Sequence, residues 1–230
     1  MDNINAYNEA LFKEEFPTTE YYKIIKDLYP NATIYYGPHP WAADTQPRKG
    51  LDTRNQLLLD HNIISAMPFY YLKYINQNAT VYDLGCGYNF FKPFFKNLIG
   101  IDPYIDESDI KEIVDDKFYE EHQSCYEAVF SINALHFVPI HNIREVCEKF
   151  ALMLKPGCTG FLAFNVARML EWIEKVSENN KWSPLSQGTF LETWVRKQLD
   201  NFPYKLDVID IDLIRINNFL NGNIRLVITR

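Results

Sequence analysis

From about residue 79 onward, short apolar runs alternate with amphipathic segments, the pattern that βα units leave in a chain when they build a parallel sheet. The runs predict strands over Ala79–Leu84, Leu98–Asp102, Glu112–Val114, Ala128–Ile132 and Gly160–Asn165. Helices are expected between them at Tyr88–Lys96, Asp116–His122 and Ile140–Leu154. The last has Ile143, Val146, Cys147, Phe150 and Leu154 at helical spacing and stops at Lys155-Pro156-Gly157. Beyond it, Val166–Glu178 and Gly188–Leu199 read as helices. Tyr204–Ile214 and Asn223–Thr229 read as an antiparallel pair joined by 217–222. Five parallel strands that finish in an antiparallel pair are an unusual order, because most dinucleotide-binding sheets end otherwise.

Residues 1–78 have a different texture. They are rich in aromatics and short helical stretches, broken by the Pro-punctuated link Tyr36-Gly37-Pro38-His39-Pro40-Trp41. The expected organisation is a helical N-terminal cap or substrate lid over 1–78 and one α/β domain over 79–230. At 230 residues a second independent core is not expected.

Composition narrows the function classes. Apolar residues make up 47% and charged residues 23%, which suits a folded core. The formal net charge of -7 repels phosphate backbones, so nucleic acid is not an expected partner. Neither a long apolar run nor a leader-like start is visible, so a cytoplasmic protein without a membrane partner is expected. Cys86, Cys125, Cys147 and Cys158 lack metal-ligand spacing and read as reduced thiols; no metal is expected.

The candidate chemistry lies in Asp83-Leu84-Gly85-Cys86-Gly87-Tyr88-Asn89, which follows an apolar strand and precedes an expected helix. Glycines there let the backbone approach a bulky ligand, and free N–H groups at a helix start favour a carboxylate. A dinucleotide loop needs a third glycine where this chain has Phe90. An acid, Asp83, instead precedes the first glycine and suits a cation such as an amino acid's ammonium. Asp102, at the tip of the second strand in Ile101-Asp102-Pro103-Tyr104, is placed to accept hydrogen bonds from ribose hydroxyls. A nucleoside with an amino-acid tail satisfies both acids, and S-adenosylmethionine is that ligand.

At these residues the chain resembles the class I S-adenosylmethionine-dependent methyltransferases, over roughly residues 79–229. Val81-Tyr82-Asp83-Leu84-Gly85-Cys86-Gly87 is similar to the family's first motif and Ile99-Gly100-Ile101-Asp102 to its second-strand motif. The run from Ala128 to His136 is similar to its fourth-strand motif, and Leu154-Lys155-Pro156-Gly157 to the turn before its fifth strand. The resemblance implies a Rossmann-like, seven-stranded, mostly parallel sheet with an antiparallel last strand and helices on both faces. It also implies that Asp115 or its neighbour Asp116 meets the adenine amino group. The chain departs from the family at Asn89, where a third small residue is usual, and at Pro93, which breaks the first helix.

The cofactor contacts expected are thus Asp83, Gly85, Cys86, Gly87, Asp102, Pro103, Asp115 and Asn133. Asn133 stands at the tip of the fourth strand, near the sulfonium. His136 is the candidate base or substrate-orienting group, with simple packing as its alternative. Arg54, near Arg48 and Lys49 in the cap, and Tyr104 are candidate substrate contacts. The aromatics Phe69, Tyr70, Tyr71 and Tyr74 read chiefly as core. No Asp/Asn-Pro-Pro-aromatic clamp follows the fourth strand, and no nucleophilic Cys stands there, so base methylation in nucleic acids is not expected. A small-molecule acceptor is preferred, with a protein or nucleotide second. A cofactor-binding scaffold without turnover and an aminopropyl transferase of the same fold are the competing classes.

Overall fold

The computed structural model describes residues 7–36, 63–132, 134, 142–166, 184–216 and 219–230. Among the described residues eight strands fall in two sheets: β1 (Thr33–Tyr35), β2 (Ile63–Ser65), β3 (Val81–Leu84), β4 (Leu98–Ile101), β5 (Tyr126–Ile132), β6 (Leu154–Val166), β7 (Lys205–Ile216) and β8 (Phe219–Thr229). β1 and β2 form a small parallel pair, and the rest form one sheet in the order β4-β3-β5-β6-β8-β7. β3 pairs in parallel with β4 and β5, β5 pairs in parallel with β6, and β8 runs antiparallel to both neighbours. β3 pairs on both sides and buries Val81 and Leu84, one on each face, with Asp83 the single charge in the strand.

The helices are α1 (Glu9–Glu15), α2 (Glu20–Leu28), α3 (Met67–Leu72), α4 (Asp116–Glu121), α5 (Ile143–Met153) and α6 (Pro184–Gln198). Helices α4, α5 and α6 cover one sheet face, where Phe118, Cys147, Phe150, Val195 and Leu199 pack against Leu84, Val129, Leu162 and Leu226. The N-terminal elements cover the other. Phe12, Phe16, Ile25, Phe69 and Tyr71 share a core with Val81, Phe130, Phe161 and Val227. Thr19 caps α2 by accepting from the Tyr22 N–H at 3.2 Å, and Asp115 caps α4 in the same way from Phe118 at 3.0 Å.

Two expected elements differ. The main sheet has six strands among the described residues, not seven, because Glu112–Val114 does not pair. Ile113 is 58% exposed and of this short run only Val114 packs against the core, and the place beside β4 is taken by a single bridge from Ile110 to Ile101. The helix expected over Tyr88–Lys96 shrinks to turns and a 3-10 turn at Lys92–Phe94. Pro93 has no N–H to continue an α-helix, and Phe91, Phe94 and Phe95 are buried as anchors instead. Past Val166, which ends β6, the helix expected to Glu178 lies outside the described residues. The antiparallel pair forms as expected, with both strands longer than their apolar runs.

Candidate functional site

Asp83 lies near the end of β3, opposite Gly100 of β4 and Phe130 of β5. Val81 and Asp83 share a strand face by alternation, so Asp83 points toward the N-terminal layer. It is 3% exposed, and burial, reinforced by the Asp102 charge, pushes its carboxyl well above the usual carboxylate range. Both influences act in the same direction, so the site favours a positive charge beside this group.

The turn that follows is built from left-handed backbone. Gly85, Gly87 and Asn89 have φ of 73°, 53° and 57°. Gly85 is required twice over, since a Cβ there would lie 2.1 Å from the Ala134 Cβ. The Gly85 and Cys86 N–H groups both donate to the Ile101 carbonyl, at 2.7 and 3.1 Å. Gly87 donates to Asp102 Oδ2 at 3.2 Å, and Asp102 Oδ1 accepts from the Tyr104 N–H at 2.9 Å. The two acids therefore stand at the tips of adjacent parallel strands with the glycine turn between them. With no α-helix behind the turn, the expected helix-start cradle for a ligand carboxylate does not form.

Asn89 replaces a small residue by doing a separate job. Its Nδ2 donates to the Glu107 carbonyl at 2.9 Å and to Asp109 at 3.2 Å. Asp109 also accepts from the Gly100 N–H at 2.8 Å and pairs with Lys92. Burial raises the Asp109 carboxyl, but Lys92, Gly100 and Asn89 together outweigh it and hold the group below its usual range. This cluster caps the outer edge of β4 where the absent strand would have paired. Asp109 carries no motif, and only its place in the acidic run Asp106-Glu107-Ser108-Asp109 could have singled it out.

Cys86 lies inside this acidic turn. Burial, then Asp83, Asp102 and Asp109, push its thiol far up, so it stays protonated. Phe90 does not fill the space between the two acids, since its ring stacks on Tyr29 (6.4 Å, 22°) and contacts Phe91 and Phe94. Pro103 is half-buried beside Asp102, and Tyr104 is 63% exposed. Asp115 is exposed and its carboxylate caps α4. Asn133, His136 and Arg54, together with Arg48 and Lys49, lie outside the described residues.

The aromatics of α3 do pack as core, and one carries more. Tyr71 stacks on Phe161 (4.7 Å, 9°), and its hydroxyl donates to Asp210 while accepting from Arg225 Nε at 3.0 Å. Arg225 is 1% exposed and pairs with Asp210 at 3.0 Å. The signal for this was a charge at an inward position of the apolar run Ile224-Arg225-Leu226-Val227.

No protein-family model matches the chain, and no curated protein does. Among solved structures it is similar to an S-adenosylmethionine-dependent methyltransferase from Anabaena variabilis, at 14% identity and TM-score 0.44, covering 76% of this chain and 84% of that one. It is also similar to an S-adenosylmethionine-dependent methyltransferase from Methanosarcina mazei, at 15% identity and TM-score 0.43, covering 70% and 97%. A geranyl diphosphate methyltransferase solved with S-adenosylmethionine is similar at 8% identity and TM-score 0.41, covering 72% and 84%. Likeness this distant decides nothing about the chemistry. Among the described residues no helix is long and apolar enough to cross a membrane.

Proposed function

We propose that the chain is an S-adenosylmethionine-dependent methyltransferase acting on a small molecule. The observation that supports this best is the pair Asp83 and Asp102 on neighbouring strand tips, joined by a left-handed glycine turn. Asp83 meets the ammonium of the cofactor's amino-acid tail, and Asp102 accepts from its ribose hydroxyls. The acidic surroundings of Cys86 suit a ligand that carries a sulfonium and an ammonium, and they disfavour a pyrophosphate. S-adenosylmethionine supplies an electrophilic methyl group.

The chain's own part in the reaction is alignment. Methyl transfer is an in-line displacement, and orientation of that kind supplies on the order of 7 to 11 kcal/mol. In this reading 79–230 holds the cofactor and 1–78 covers the acceptor, with Asn133 near the sulfonium and His136 orienting or deprotonating the acceptor. Pro103 and Tyr104 flank the nucleoside, and Arg54 contacts the acceptor from the cap. Asp115 Oδ1 caps α4, and Oδ2 is the oxygen that meets the adenine amino group.

One observation favours a second reading, a cofactor-binding scaffold without turnover. The loop helix and the third strand, two elements that would wall a nucleoside, are reduced to a 3-10 turn and one bridge. Calorimetry with S-adenosylmethionine, followed by labelled-methyl transfer to fractionated host extract, separates the two. Binding with label in the small-molecule fraction is expected. Binding without transfer to any fraction leaves the scaffold, and no binding at millimolar cofactor removes both.

A further inference from the structure

β3 lies where the order of the sheet turns back, with β4 on one side and β5 on the other. Ligands of open α/β sheets bind at the carboxyl ends of the strands at such a point. The two ladders of β3 stop at different heights. Toward β4 the register runs to Leu84 and Ile101, whereas toward β5 it ends one residue earlier, at Asp83 and Phe130. Beyond that last pair the Leu84 carbonyl is caught by a side chain, since Ser131 Oγ donates to it at 3.0 Å.

The other end of the same peptide group is held by β4, because the Gly85 N–H donates to the Ile101 carbonyl at 2.7 Å. The Leu84–Gly85 peptide is therefore clamped across the crevice, its oxygen to β5 and its hydrogen to β4. It leads directly into left-handed backbone, with Gly85 at φ 73°. Glycine adopts either sign of φ about equally, so the residue itself does little to fix the plane of this peptide. Ser131 is fully buried, and by alternation it shares the face of Val129, which α4, α5 and α6 cover, whereas Asp83 is on the other. The hydroxyl thus touches the peptide and no ligand.

We infer that Ser131 is a positioning residue. Its hydroxyl holds the Leu84–Gly85 peptide in the orientation in which the turn and the preceding Asp83 together receive the amino-acid tail of an adenosyl ligand. The tail and not the nucleoside depends on it, because Asp102 is anchored separately, through the Gly87 and Tyr104 N–H groups. The identity of the ligand rests on the methyltransferase proposal, whereas the clamp is read without it.

The probes are S-adenosylhomocysteine and methylthioadenosine, which keeps the nucleoside and lacks the tail, titrated by calorimetry into the full chain. Ser131→Ala is expected to weaken S-adenosylhomocysteine about tenfold, the ratio of roughly one hydrogen bond, and methylthioadenosine by less than about threefold. Ser131→Thr keeps a hydroxyl and is expected to restore binding of the tail-bearing ligand. If the alanine variant does not fold, Ser131→Cys, similar in volume with a weaker donor, is expected to show the same selective loss. Native affinity for S-adenosylhomocysteine in the alanine variant, equal weakening of both ligands, or a threonine variant as weak as the alanine one overturns the proposal. The clamp is also measured without ligand, by amide hydrogen exchange. The Gly85 amide is expected to exchange about tenfold faster in Ser131→Ala, relative to the amides of the β6–β8 ladder, and unchanged relative exchange overturns the positioning role. If the native chain binds neither ligand, the methyltransferase proposal falls, and the exchange measurement decides the clamp alone.

Discussion

Gly87 donates its N–H to the Asp102 carboxylate at 3.2 Å, so the glycine turn and the second strand's acid form one unit. The bond fixes the turn against β4 and leaves Asp102 Oδ1 on the Tyr104 N–H. Asp102→Ala removes an anchor of the turn together with the proposed ribose acceptor. Cofactor affinity is expected to fall by about 30-fold or more, the loss of one or two hydrogen bonds to a charged group. Calorimetry on the variant reads this directly, and near-native affinity would remove Asp102 from the nucleoside site.

Asp83 makes a pH prediction whose sign follows from its raised carboxyl. The folded state keeps a proton that the unfolded state loses near pH 4. Its contribution to stability is therefore fully present below that pH and is lost as pH rises through the folded value. Asp83→Asn removes this slope, so the melting-temperature difference between variant and native chain grows from acid to neutral pH. A cationic ligand reverses the preference of the group, so S-adenosylmethionine binding releases a proton. Calorimetry in two buffers of different ionisation enthalpy measures that release; equal apparent enthalpies in the two would separate the ligand from Asp83.

The order of the elements was legible because strand β3, helix α5 and the β7–β8 pair each carry a pattern long enough to declare itself. The face that each strand buries followed from alternation. Asp83 and Asp102 were legible for the same reason, as charges at the tips of apolar runs. What the chain hid depends on contacts between distant residues. Nothing local in Glu112-Ile113-Val114 shows that Asp109 and Ile110 occupy the edge of β4 instead. The cost of Pro93 was visible, but the compensation was not: three buried phenylalanines hold the turn where a helix was expected. The Tyr71, Asp210 and Arg225 cluster joins residues 139 and 15 positions apart, a separation no spacing rule addresses.

Gly85 and Gly157 form a matched pair for measuring the loop's constraint. Their φ values are 73° and 78°, but a Cβ on Gly157 meets nothing within 4 Å, whereas one on Gly85 collides with Ala134. Gly157→Ala is expected to cost about 1 kcal/mol, from backbone conformation alone. Gly85→Ala adds overpacking and is expected to cost roughly 2 to 4 kcal/mol in total. Urea unfolding of the two variants isolates the clash, and equal losses would mean that the loop yields around the added methyl.

The thiols offer a chemical check. Cys125 is exposed, whereas Cys86 and Cys147 are buried, and burial pushes both buried thiols far above their usual range. Iodoacetamide at pH 8 is expected to label Cys125 first and to leave Cys86 and Cys147 unmodified in the folded chain, as resolved by peptide mass spectrometry. Rapid labelling of Cys86 would show that the acidic turn opens to solvent.

The buried pair between β7 and β8 tests what joins the N-terminal layer to the sheet. Arg225 Nε contacts both Asp210 and Tyr71 at 3.0 Å, and the Tyr71 hydroxyl also donates to Asp210. Arg225→Met removes the cation and leaves the largely buried Asp210 carboxylate with the Tyr71 hydroxyl as its hydrogen-bond partner among the described residues. Breaking such a pair from one side costs about 3 to 5 kcal/mol, while replacing both charges with apolar groups of similar volume is often neutral. Arg225→Met is therefore expected to lose most of that amount in urea unfolding, and the Arg225→Met, Asp210→Leu double variant to recover much of it. If the double variant is as unstable as the single one, the cluster holds the Tyr71 helix by geometry and not by charge balance. Tyr71→Phe in the native background then gives the size of the hydroxyl's share, expected to be about 1 to 2 kcal/mol for a hydrogen bond to a charged partner.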